Sequence, residues 1–271
     1  MIRADGVEIK YSFFPNKEIK LPEIEKAYII EWYFESIEEL FILQCIPKAK
    51  QCKLFMPYIP FSRMDRQVEE QFFTLPVFCG IINSMEFKEV IVLEAHSDVS
   101  VSMLDRVSNR HTSMSMFVRR ADQYDAIVFP DAGAAKRYTA LMEDNTMPVI
   151  VMNKKRDPQT GALNGFEILS RPEGFVMMGK RVCIVDDLSS YGGTFLGVAT
   201  VLKQHRVNVI DLIVTHAEPA ILRGNVLAAG TPINQVYCTD SLLKNIDTDL
   251  FMESLKRLNI LDSKEALRYE I

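Results

Sequence analysis

The segment Arg181–Thr194, RVCIVDDLSSYGGT, decides how this chain is read. An apolar run, Val182 to Val185, ends in two adjacent carboxylates, Asp186 and Asp187. A loop of small residues closes on Gly192-Gly193-Thr194, and a helix-forming stretch, FLGVATVLKQH, follows. Strand, loop and helix in that order make an anion cradle, because glycine lets backbone N–H groups approach phosphate oxygens and a helix N-terminus adds a favourable dipole. Two carboxylates at the carboxyl end of a strand, where open α/β sheets bind ligands, suit the 2- and 3-hydroxyls of a ribose. A sugar phosphate is therefore the expected ligand of Asp186, Asp187, Ser189, Ser190, Tyr191, Gly192, Gly193 and Thr194. The plainer alternative makes the aspartates a helix cap and Gly-Gly a turn, and the ordered strand, loop and helix weigh against it.

Outward from this loop, strand-like runs alternate with segments of helical period. The runs are 7–14 (VEIKYSFF), 27–34 (AYIIEWYF), 52–58, 89–95, 125–130, 147–152, 181–185, 207–214 and 233–238. That alternation predicts α/β architecture with largely parallel sheets and crossover helices. Ser36-Ile-Glu-Glu39 has capping-box spacing and predicts a helix that turns Ile37, Leu40, Phe41 and Ile42 to a core. The polar stretch SNRHTSMS (108–115) breaks the rhythm and places a boundary between domains 1–112 and 113–247. Residues 153–166, NKKRDPQTGALNGF, read as a long polar loop of the kind that is usually functional or mobile, and 248–271 as a helix (TDLFMESLKRL) with a charged tail.

Composition narrows the function classes. The 271 residues are 48% hydrophobic and 25% charged, with 12 Gly and 12 Pro, which excludes collagenous, coiled-coil and disordered chains. With 31 Lys+Arg against 36 Asp+Glu the net charge is −5, which argues against a general nucleic-acid coat. Cys45, Cys52, Cys79, Cys183 and Cys238 lack metal-site spacing and suggest a reducing compartment. The N-terminus has no leader pattern, and no run of about 18 apolar residues predicts a membrane span. A cytoplasmic protein, whole from residue 1, is expected.

Further motifs stand in order along the chain: Phe14-Pro-Asn-Lys-Glu18, Pro57-Tyr-Ile-Pro-Phe-Ser-Arg-Met-Asp-Arg66, Glu94-Ala-His96, Pro130-Asp-Ala-Gly-Ala-Ala-Lys-Arg137, Asn153-Lys-Lys-Arg156 and Thr215-His216. Together with Asp186–Thr194 they resemble the ribose-phosphate pyrophosphokinase (PRPP synthetase) family over nearly the whole chain. The resemblance implies two phosphoribosyltransferase-type domains, the first on the ATP side. It also implies transfer of the β,γ-diphosphoryl group of ATP to the anomeric hydroxyl of a ribose 5-phosphoryl acceptor, with release of AMP, in a homo-oligomer.

By the same resemblance Lys154 and Arg156 are the catalytic pair, closing on the transferred phosphoryl group from a mobile loop. Phe14, Asn16, Glu18, Arg63, Asp65 and His96 would bind ATP, with core packing the alternative for Phe14. His96 and Asp131 would hold Mg²⁺ against the phosphates, and Asp131 would also reach the sugar phosphate.

The chain departs from the family at three points. Where a small Thr is common in the phosphate loop it has Tyr191, which removes a hydroxyl donor and offers a stacking surface. An acceptor extended beyond its 5-phosphate follows, ADP-ribose being the candidate, as in the phage-type branch of the family that makes ADP-ribose 1-diphosphate for NAD⁺ synthesis. Glu94 and Met64 stand where Asp and Gln are common, so ATP binding is expected to be retained but altered. The competing readings are a phosphoribosyltransferase that consumes PRPP, which would leave the first 110 residues unexplained, and a regulatory homologue without catalysis.

Overall fold

The computed structural model describes residues 1–24, 26–46, 49–67, 70–142, 146–156, 163–246 and 252–266. The chain divides into two compact units, Met1–Arg110 and His111–Ile271. Each is built around a largely parallel sheet flanked by helices, as the sequence predicts.

In the first unit the elements run β1 (Ile2–Ala4), β2 (Val7–Glu8), β3 (Ser12–Phe13), β4 (Ile19–Lys20), β5 (Ile29–Trp32), α1 (Glu38–Gln44), β6 (Lys53–Phe55), α2 (Leu75–Ser84), β7 (Glu89–Leu93), α3 (Asp98–Met103) and β8 (Val107–Arg110). The main sheet has the order β2-β1-β5-β6-β7-β8; β5 to β8 are parallel, and β1 enters antiparallel through a hairpin. That hairpin turns at Asp5-Gly6, both at positive φ, the conformation a tight two-residue loop requires. Trp32, Leu54, Phe78, Phe87 and Val92 fill the core.

Three expectations change here. Residues 7–14 do not form one strand: β2 joins the main sheet, while β3 pairs only with β4 in a separate two-stranded sheet. Ser36 does not close a capping box, because the buried Glu39 carboxylate accepts from the Trp32 indole N–H at 2.8 Å and the Glu35 N–H at 2.9 Å. Rotated by that anchor, α1 buries Leu40, Ile42 and Leu43 and leaves Ile37 and Phe41 more than half exposed.

The second unit runs α4 (Thr112–Val118), β9 (Ala126–Phe129), α5 (Ala132–Thr139), β10 (Val149–Arg156), β11 (Leu163–Ser170), β12 (Arg181–Ser189), α6 (Gly193–Gln204), β13 (Val209–Ala217), β14 (Val236–Thr239), α7 (Met252–Leu255), β15 (Leu258–Leu261) and α8 (Ser263–Ala266). Its sheet order is β11-β10-β9-β12-β13-β14-β15, parallel except for β11. Val182 and Ile184 of β12 pack with α6 on one face, whereas Cys183 and Val185 pack with α4 and α5 on the other. Burial on both faces is why this strand reads as an unbroken apolar run.

The expected polar loop at 153–166 is instead largely a hairpin, with 157–162 outside the described residues. The polar residues pair across it: Asn153 and Lys155 both reach Glu167, at 3.2 and 2.9 Å, while Phe166 and Ile168 pack on the core. Nor is the C-terminal segment a plain helix and tail. Leu258–Leu261 adds a parallel edge strand beside β14, while 247–251 and 267–271 lie outside the described residues. The stretch 108–115 is likewise regular, ending β8 and opening α4. Among the described residues no helix is long and apolar enough to cross a membrane.

Candidate active site

The second unit's sheet changes direction at β9, which has β10 on one side and β12 on the other. Such a switch point leaves a crevice at the carboxyl ends of the strands, the usual ligand position in open α/β sheets. Asp131 follows β9, Lys154 lies near the end of β10, and Asp186 and Asp187 lie near the end of β12.

Asp131 caps α5: its Oδ1 accepts the Ala134 N–H at 3.0 Å, and its Oδ2 accepts from Lys154 Nζ at 3.1 Å. Burial opposes its charge, but the Ala134 amide and the Lys154 ammonium outweigh that and hold its carboxyl below the ordinary value. Arg137, on α5, forms an ion pair with the buried Asp187, Nη1 lying 3.1 Å from its carboxylate; burial opposes the guanidinium's charge, and the Asp187 carboxylate outweighs that and raises its pKa. Asp186 accepts the Asp187 backbone N–H at 2.9 Å, and no cation pairs with it among the described residues. Burial first, then the neighbouring charges of Asp187 and Asp131, push its carboxyl well above the ordinary value.

This makes Asp186 a measurable strain. A carboxyl whose folded pKa is raised contributes stability that is full below its unfolded value, near 3.8, and is lost as pH rises through the folded value. Asp186→Asn keeps the acceptor for the Asp187 amide and removes that loss. Its melting temperature is expected to match wild type at about pH 4 and to exceed it by a growing margin towards about pH 8. Parallel melting curves across that range would sink the assignment.

The loop after β12 is held by a second segment. Glu218 N–H donates to Ser189 O at 2.9 Å, and Gly224 packs so closely on Tyr191 that a Cβ would lie 2.2 Å from its carbonyl oxygen. Gly192 is left-handed (φ 80°), and a Cβ there would lie 2.5 Å from Val226 Cβ. Gly193, by contrast, has open space where a Cβ would lie, and no side chain caps α6, so its first amides have no side-chain acceptor. Ser189 is buried, Ser190 and Thr194 are half-buried, and Tyr191 stands 63% exposed at the lip.

In the first unit, Phe14–Glu18 form the tip of the β3–β4 hairpin. Phe14 N–H donates to Glu18 O at 2.8 Å, and Asn16 Oδ1 accepts the Glu18 N–H at 3.2 Å. Phe14 is 44% exposed with Lys20 Nζ 4.0 Å from its ring centroid, so core packing does not hold it. The segments carrying Arg63, Asp65 and His96 leave the sheet together, since Leu93 N–H bonds Pro57 O at 3.0 Å. Arg63 is exposed, Asp65 and His96 half-buried, and Glu94 buried at positive φ.

The structure thus gathers Asp131, Lys154, Asp186, Asp187 and the 189–194 loop in one crevice of the second unit. His96, the other expected Mg²⁺ ligand, belongs to the first unit. Lys154 lies on a strand rather than a loop, and Arg156 ends that strand with its side chain outside the described residues. Among the described residues no group of three or more His, Cys, Asp or Glu is arranged to hold a metal by itself. Sequence reasoning assigned no role to Arg137 or Gly224. Arg137 stood inside a recognised motif; Gly224 carried no local signal.

No protein-family profile matches the chain. The ribose-phosphate pyrophosphokinase of Pyrococcus furiosus is 27% identical over 238 residues, covering 80% of this chain and 81% of that protein. Those of Pyrococcus abyssi (24% over 253 residues, 88% and 84% covered) and Sulfurisphaera tokodaii (23% over 233 residues, 80% and 79%) extend the similarity across both units. The chain is thus similar in sequence to ribose-phosphate pyrophosphokinases. In fold it is similar to the phosphoribosylpyrophosphate synthetase of Mycobacterium smegmatis, with a TM-score of 0.68 at 18% identity, covering 96% of this chain and 87% of that one. The likeness therefore spans both units.

Proposed function

We propose that the protein transfers the β,γ-diphosphoryl group of ATP to the anomeric hydroxyl of a ribose 5-phosphoryl acceptor and releases AMP. The observation that carries this is the crevice itself: a lysine, two adjacent aspartates and an uncapped helix N-terminus behind a glycine loop, in a chain similar to pyrophosphokinases along both units. The acceptor's phosphate would lie against the amides of Gly193 and Thr194, with its hydroxyls on Asp186 and Asp187. The anomeric oxygen attacks the β-phosphorus, the bond from that phosphorus to the oxygen bridging to the α-phosphorus breaks, AMP leaves with that oxygen, and the hydroxyl proton passes to solvent. Lys154 and Arg156 stabilise the charge that spreads over the phosphoryl oxygens, in a reaction that is mostly positioning and neutralisation.

Phe14, Asn16 and Glu18 would receive the adenine, and Arg63 and Asp65 the rest of ATP. Mg²⁺ held at Asp131 would supply charge neutralisation for the phosphates. The carboxylate of Asp186, unpaired by any cation among the described residues and neighbouring Asp131, is chemistry that a divalent cation fits. The five free cysteines, four of them buried, accord with a reducing compartment such as the cytoplasm. Exposed Ile37 and Phe41 offer apolar surface for a homo-oligomer.

For the acceptor, we favour ADP-ribose over ribose 5-phosphate, the product being ADP-ribose 1-diphosphate, a step towards NAD⁺. An aromatic ring at the lip is a platform for a group beyond the 5-phosphate, and Tyr191 is fixed there from below by Gly224. The test is parallel incubation with ATP, Mg²⁺ and either acceptor, following AMP and product mass. Wild type should turn over ADP-ribose faster, and Tyr191→Thr should shift the preference towards ribose 5-phosphate by about tenfold, the worth of one recovered hydrogen bond. Faster turnover of ribose 5-phosphate by wild type would remove the ADP-ribose assignment; AMP from neither acceptor would favour a regulatory homologue.

A further inference from the structure

We propose that Phe166 and Gly197 form a seat that positions Lys154 over the anion cradle, an inference that rests on the diphosphoryl-transfer reading above. Gly197 is internal to α6, where glycine is a poor choice on helix-forming grounds. Its reason is steric: a Cβ there would lie 2.1 Å from Phe166 Cε2 and 2.4 Å from Cδ2, so the phenyl ring occupies the space a side chain would need.

The register of the hairpin gives that contact its consequence. Phe166 on β11 lies directly opposite Lys154 on β10, and opposed residues of an antiparallel pair project to the same face. Gly193 and Gly197, four residues apart, share one face of α6 and are separated by about 6 Å of rise, a little over one turn. The ring therefore meets α6 about one turn from Gly193, directly across the hairpin from Lys154. Phe166 also packs on the core that α6 shares with β12, so the hairpin, the helix and the strand carrying Asp186 are joined at this point. Asp131 holds the Lys154 ammonium at 3.1 Å. Two anchors thus fix the residue, the Phe166 seat for its backbone and Asp131 for its charge. Phe166 is a positioning residue that acts through Lys154.

Three variants test the seat: Gly197→Ala fills it, Phe166→Ala empties it, and Gly197→Ala with Phe166→Leu exchanges volume between the partners. Each single variant should lower kcat for AMP release at least tenfold while KM for the acceptor stays within twofold, because the cradle amides are untouched. The double variant should recover most of the lost kcat. Wild-type kcat in Phe166→Ala, or a double variant no better than Gly197→Ala alone, would overturn the seat, as a general packing role would give no such rescue. Amide hydrogen exchange supplies a readout independent of catalysis. Residues 150–154 should exchange faster in Phe166→Ala, with α6 still protected, and unchanged exchange there would also overturn the proposal. Should wild type release no AMP, the diphosphoryl-transfer reading fails and the exchange result alone decides the seat.

Discussion

Lys154→Ala is expected to cut AMP release from ATP by about 10²- to 10³-fold, the loss usual when one preorganised donor to a developing phosphoryl charge is removed. The fold should survive. Lys154 and Asp131 are each about a third exposed, and ion pairs of that exposure contribute little to stability, about 0–1 kcal/mol. Asp131 keeps its cap on α5 through the Ala134 amide, so the helix start is preserved. The measurement is kcat with a melting curve on the same preparation: a large kinetic loss beside a melting temperature within about 2 °C of wild type. Full activity in Lys154→Ala would remove this lysine from the chemistry.

Arg137→Leu should show the opposite division. It removes the guanidinium paired with a buried carboxylate, and breaking a buried ion pair by removing one member costs about 3–5 kcal/mol. For a unit of this size that lowers the melting temperature by about 6–12 °C or more. A second change in the pair supplies the check. Adding Asp187→Asn to Arg137→Leu leaves no orphan charge and should recover a large part of the lost stability, although acceptor binding then falls. An Arg137→Leu protein as stable as wild type would mean that solvent reaches Asp187 and that the pair is superficial.

These two residues also show what the sequence made legible. Asp186, Asp187 and the 189–194 loop are local: strand, acids, glycines and helix adjoin in sequence, and the physics that joins them acts over a few residues. Lys154 and Asp131 were legible only through a resemblance, because their ion pair spans 23 residues of chain. Arg137 lay in plain view within the Pro130–Arg137 motif, yet its partner is fifty positions away, and no local pattern marks that pairing. Gly197 and Gly224 are further still from local reading. Each is explained by one contact, with a ring or with a carbonyl, that only the folded chain brings together.

The fold shows the same division. Parallel strands buried on both faces, such as β9 and β12, read as unbroken apolar runs. The hairpin β10–β11 looked like a loop because one of its faces is a charge network, Asn153 and Lys155 meeting Glu167, in which polar residues do the pairing that apolar ones do elsewhere. The edge strand β15, four residues long between charged segments, offers too short an alternation to distinguish from a helix by period. Glu39 misled for a different reason: its carboxylate has the spacing of a cap but is engaged by an indole and a backbone amide outside the expected box.

The bond that breaks in ATP tests the central claim most directly. Phosphorus NMR of the full chain with ATP, Mg²⁺ and the preferred acceptor should show AMP growing in step with two mutually coupled resonances of a sugar 1-diphosphate. ADP with a sugar monophosphate, ADP with free orthophosphate, or AMP with free pyrophosphate would each contradict transfer of an intact diphosphoryl group.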